Sequence, residues 1–136
     1  MKTHQLTKAL HVTSQITLED VQKAAEQGFT TIINNRPDGE EAGQLTASEV
    51  EAVARKLGIN YIHQPVVGGN ITPDDVATFS QLIGDQPGKV LAHCRTGTRC
   101  TMLWALSQAG KQPADELLAT AKKAGYDLEQ LRDRLS

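Results

Sequence analysis

An apolar run, Val90-Leu91-Ala92, meets a short polar loop, His93-Cys94-Arg95-Thr96-Gly97-Thr98-Arg99, which gives way to the apolar segment Met102-Leu103-Trp104-Ala105-Leu106. The order reads as strand, tight loop and buried helix. A loop of this kind before a helix N-terminus is an anion cradle: backbone N–H groups point inward and the helix dipole adds positive potential. Cys94 sits at its mouth and Arg99 closes it. A cysteine so placed, near a guanidinium, ionises near neutral pH and becomes nucleophilic. Covalent cysteine catalysis on an anionic or sulfur-bearing substrate is the expected chemistry. Against this stands the plain alternative that Cys94 is a packing residue; His93, Gly97 and Arg99 in one loop favour catalysis. His93 is read as a supporting group that orients the loop backbone or the thiolate.

Strand and helix signals alternate along the rest of the chain. Ala9–Val12 reads as a strand. Thr17 with Asp20 and Thr46 with Glu49 read as helix caps, and Gly28 and Gly58 as the matching stops. Phe29–Ile33 is a β-branched core strand and Ile59–His63 the next strand. Thr72-Pro73-Asp74-Asp75 opens a helix with proline in its first turn. Helices are expected at about 100–109, 114–124 and 127–135. The alternation predicts an α/β fold of three layers, a central mostly parallel sheet with helices on both faces. Ligands in such sheets bind at the carboxyl ends of the strands. That end collects the cysteine loop, the loop carrying Arg36 and the loop carrying Gly68-Gly69.

The chain has 136 residues, enough for one domain spanning 1–136. With 14 basic and 16 acidic residues and 4% aromatics, it shows no basic, aromatic-rich face, and nucleic acid is excluded as an expected partner. No apolar stretch approaches membrane-spanning length, and no signal-peptide core opens the chain. Two cysteines then place it in the cytoplasm. The four histidines are scattered, and Cys94 and Cys100 are not in a metal-knuckle spacing, so neither metal nor cofactor is expected.

Ala92 through Arg99 resembles the active loop of the phosphatase-like domain of beta-lactamase-hydrolase-like proteins, a bacterial family related in fold to dual-specificity phosphatases. Members are often described as sulfurtransferases. Ser14-Gln15-Ile16-Thr17, Gly28-Phe29 through Arg36-Pro37, and Tyr61 through Val66 extend the resemblance over most of the chain. It implies a phosphatase-type α/β fold with a nucleophile at Cys94. Two departures stand out. The phosphatase signature has five residues between cysteine and arginine, whereas here there are four, as in the shorter loops of rhodaneses. The aspartate that protonates the leaving alkoxide in those phosphatases falls at about Gly68. Its loss harms alkyl ester hydrolysis, by about 10²–10⁴-fold, far more than sulfur transfer, because sulfite or a thiolate leaves unprotonated.

The sequence therefore predicts a rhodanese-type sulfurtransferase. Cys94 takes sulfur from thiosulfate or a low-molecular-weight persulfide and passes it to a thiol, cyanide or sulfite. Backbone N–H groups across Arg95, Thr96, Gly97 and Thr98, with Arg99, hold the persulfide, while Arg95 and Arg36 guide anionic donors. The alternative is a cysteine-dependent phosphatase with a phosphocysteine intermediate; the second alternative is a thiol redox sensor that pairs Cys94 with Cys100. Cys100 is read first as a small buried residue at the first helical turn, in the place where the phosphatase motif often has Ser or Thr. Relatives fused to a metal-dependent persulfide dioxygenase make a separate enzyme of that kind a candidate partner.

Overall fold

The cysteine loop hangs from the middle of a five-stranded sheet. The computed structural model describes residues 1–136. Its strands are β1 (His4–Gln5), β2 (Leu10–Thr13), β3 (Phe29–Asn34), β4 (Asn60–His63) and β5 (Lys89–His93), in the order β1-β2-β5-β3-β4. β1 runs antiparallel to β2, and every other pairing is parallel. β1 is an addition to what the sequence predicts. It has only two residues, both polar, and is defined by its partner rather than by its own pattern.

The register brings Thr13, Asn34, His63 and His93 to one level, so all four parallel strands end together. The loops that follow them open on one edge, as the topology requires.

The helices are α1 (Leu18–Glu26), α2 (Ala47–Lys56), α3 (Pro73–Asp85), α4 (Thr98–Ser107), α5 (Ala114–Lys123) and α6 (Arg132–Leu135), with a 3₁₀ turn at Glu129–Leu131. The last expected helix is thus broken: 127–135 is a 3₁₀ turn followed by one short helix. Thr17/Asp20, Thr46/Glu49 and Thr72/Asp75 all form reciprocal capping boxes. Asp75 is thereby committed to the start of α3 and Asp74 lies in the same first turn.

Side chains alternate across the sheet. On β5, Val90 and Ala92 enter the larger core with α3 to α6, while Leu91 enters the smaller core under α1 and α2. On β3, Ile33 and Ile32 divide the same way. Helices therefore cover both faces. α4 is buried along most of its length, through Cys100, Thr101, Leu103, Trp104 and Ala105.

Candidate active site

Cys94 follows the last residue of β5, and α4 begins four residues later. Gly97 is the N-cap of α4, with φ of 93°. That left-handed conformation favours glycine, and a Cβ there would overlap the Tyr126 hydroxyl. The loop so formed turns the Gly97 N–H onto the Cys94 sulfur at 3.1 Å. Cys94 itself is 1% exposed.

The thiol pKa of Cys94 is lowered to about 5. Donation from the Cys100 thiol is the largest cause; burial opposes it, and the backbone N–H groups of Cys100, Gly97 and Thr96 add to it. The N–H groups that face the sulfur are thus those of Thr96, Gly97 and Cys100, where a run from Arg95 to Thr98 was expected. Cys100 is fully buried as expected, but it does more than fill space. Its S–H faces two acceptors, Asn35 Oδ1 at 3.2 Å and the Cys94 sulfur. Burial and the Cys94 charge push its own pKa well above the usual thiol range. Of the two thiols, Cys94 is the one that ionises.

Arg99 reaches back over the loop from the first turn of α4. Its Nη1 donates to the Val66 carbonyl at 2.9 Å and to Glu40 Oε2 at 3.1 Å, and its Nη2 donates to Glu40 Oε1 at 3.3 Å. Gly68 lies against the guanidinium: a Cβ there would stand 3.2 Å from Arg99 Nη2. The position where the resemblance implies an acid is thus packed on Arg99 and carries no proton.

Two expectations need correction. Arg36 was expected to guide substrates, yet it is 1% exposed and its guanidinium is fully engaged. Nε donates to Glu40 at 2.9 Å, Nη2 to Glu41 at 2.9 Å and Nη1 to Gln15 at 3.1 Å. It is a clamp between loops, because two adjacent carboxylates in its own loop take up its charge. His93 was expected to orient the loop or the thiolate. Neither of its ring nitrogens has a hydrogen-bond partner. Burial pushes the His93 pKa down to about 4, so the ring is neutral.

Arg95 stays at the rim, its side chain 64% exposed and 3.9 Å from Glu41. The Thr96 and Thr98 hydroxyls bond each other at 3.1 Å. Ion pairs therefore run from Arg95 through Glu41, Arg36 and Glu40 to Arg99. Glu40 and Glu41 were not singled out in the sequence; two acids closely following a buried arginine in a Pro-Asp-Gly turn were the available signal. Asn35, also unforeseen, is fully buried. Its Nδ2 binds the Gln64 carbonyl at 3.0 Å while its Oδ1 receives Cys100. No cluster of three or more His, Cys, Asp or Glu side chains is placed to hold a metal ion. No helix is long and apolar enough to cross a membrane.

The profile of the family described as beta-lactamase hydrolase-like protein, phosphatase-like domain, matches residues 2–111. A beta-lactamase hydrolase-like protein of Xylella fastidiosa (strain Temecula1) is 38% identical over 130 residues, which cover 94% of this chain and 30% of the relative. The chain thus spans about a third of the length of such relatives. Among solved structures, a candidate phosphatase from Neisseria meningitidis Z2491 superposes with a TM-score of 0.90 at 41% identity, covering 98% of this chain and 95% of that one. The core catalytic domain of the PP-IP phosphatase SIW14 from S. cerevisiae shares the fold, with a TM-score of 0.74 at 14% identity over 96% of this chain and 83% of that one.

Proposed function

The chain belongs to the phosphatase-like domain family of the beta-lactamase hydrolase-like proteins, and on that premise we propose that it is a cysteine-dependent phosphatase with Cys94 as nucleophile. The observation that carries this reading is the Cys94 thiol, held near pKa 5 before a helix whose first turn carries Arg99, in a phosphatase-like fold. The Cys94 thiolate attacks phosphorus of a monoester. The S–P bond forms as the bond to the leaving oxygen breaks, and the oxygen leaves with the electron pair. Water then attacks the phosphocysteine, releasing phosphate and the thiolate. Arg99 exchanges Glu40 for two phosphoryl oxygens, the bidentate match a guanidinium offers. Gly68 supplies no proton, so substrates whose leaving oxygen is already stable, such as aryl esters, turn over best.

The similarities favour phosphoryl transfer over the sulfur transfer expected from the sequence. Sulfur transfer remains a second reading for two reasons: the four-residue spacing leaves less room for a tetrahedral phosphate, and the glycine at 68 suits a leaving group that needs no proton.

Rapid quenching with p-nitrophenyl phosphate, followed by intact mass, tests the main reading. One phosphoryl group on the parent protein, absent from Cys94→Ser, is the expected result. Gain of a cyanide-labile sulfur from thiosulfate, with no phosphoryl adduct, would replace it with the second reading.

A further inference from the structure

Tyr126 lies beyond residues 2–111, the span the family profile matches, yet it touches the active loop. It follows Gly125 at the end of α5, and its N–H donates to the Ala121 carbonyl at 2.9 Å. The residue is 9% exposed, and its ring meets His4 edge to face with centroids 5.6 Å apart. Its hydroxyl donates to the Thr96 carbonyl at 3.3 Å.

That carbonyl belongs to the same peptide unit as the Gly97 N–H. A trans peptide is planar and carries its C=O and N–H on opposite sides, and the chain has no cis bond. Holding the Thr96 oxygen toward Tyr126 therefore holds the Gly97 N–H toward Cys94, where it is found at 3.1 Å from the sulfur. Rotating this peptide about its flanking bonds would release both hydrogen bonds together. Polarisation acts in the same direction: a donor on the carbonyl makes the N–H of the same amide a stronger donor.

We propose that Tyr126 is a positioning residue of the active site, acting through the Thr96–Gly97 peptide to hold the Cys94 thiolate. Burial and the nearby Cys94 and Cys100 keep its hydroxyl pKa raised to about 12, so the phenol remains a donor through the neutral range. The same contact accounts for Gly97, where any side chain would displace the hydroxyl. The C-terminal segment thereby completes a site built otherwise from the loops after the strands.

The inference rests on Cys94 being the reactive thiol, not on the identity of the substrate, so its test does not use turnover. In the full chain, Tyr126→Phe keeps the ring and removes only the donor. The pH profile of Cys94 alkylation by iodoacetamide, located by peptide mass, should move up by about half to one unit. In glycine-labelled protein the Gly97 amide proton should shift upfield. Site-specific 3-fluorotyrosine at 126, a more acidic phenol, should move the alkylation profile the opposite way. A folded Tyr126→Phe protein with an unmoved profile and an unmoved Gly97 resonance overturns the proposal, even if its melting temperature falls. So does a 3-fluorotyrosine profile identical to the parent's. Absence of any pH-dependent alkylation of Cys94 in the parent would instead sink the reading of Cys94 as nucleophile.

Discussion

Arg99 and Arg36 share one carboxylate, Glu40, and otherwise differ in every respect that bears on function. Arg99 stands on the first turn of a helix, partly open, with the Val66 carbonyl as its shortest partner and Glu40 as the one that the proposed mechanism displaces. Arg36 is closed off, bonded to Glu40, Glu41 and Gln15, each on a different nitrogen. Charge alone does not separate them. What separates them is whether a guanidinium has a partner that a substrate anion can replace without breaking the fold.

The largest expected effect is on Arg99. Arg99→Lys loses the planar fork and should lower turnover of an aryl phosphate by about 10²–10³-fold, with little change in melting temperature. A variant that retains near-parental turnover would place the two arginines in one class.

Next comes the last residue of β5. His93 has a folded pKa of about 4 against an ordinary 6.5. As pH falls from 6.5 to 4, the unfolded chain takes up a proton that the folded chain does not. Stability therefore falls through that window, by up to about 3 kcal/mol, and levels off below it. Melting curves from pH 7 to pH 4 should be steeper for the parent than for His93→Asn; parallel curves would count against this account.

Arg36→Gln should reverse the Arg99 pattern. Removing one member of a buried charge cluster leaves Glu40 and Glu41 without their shared cation. The expected loss is about 2 kcal/mol in denaturant unfolding, below the usual range for buried pairs because both carboxylates keep contact with water. A sharp loss of turnover at unchanged stability would return Arg36 to substrate binding.

The smallest effect is at Gly68. Its Cβ in Gly68→Ala would press on Arg99 at 3.2 Å, and the guanidinium should yield by a few tenths of an ångström. Turnover should fall by about 10-fold or less, given how steeply catalysis depends on placement. An increase would mean that Arg99 is held too tightly to Val66 and Glu40 in the parent protein.

What could be read from the sequence was local. Thr17, Thr46 and Thr72 sit three residues before their acidic partners, so each capping box is written within one turn of chain. The cysteine loop is equally compact, since strand end, glycine and helix start fall within ten residues. The features that escaped join distant segments. Cys100 meets Asn35 across 65 positions, and Tyr126 meets Thr96 across 30. No period or turn signal records such contacts; they depend on how the helices settle on the sheet. Arg36 shows the intermediate case. Its acidic partners are four and five residues away, but whether they would fold back on it depends on the loop geometry.

β5 leads directly into Cys94, the proposed nucleophile, and lies between β2 and β3, parallel to both. Its amides are shielded by neighbours on either side, so they should exchange with deuterium only when the whole sheet opens. The Cys94 sulfur is thus fastened to the strand expected to exchange most slowly. On warming, loss of Cys94 reactivity should coincide with the cooperative melting of the sheet instead of preceding it.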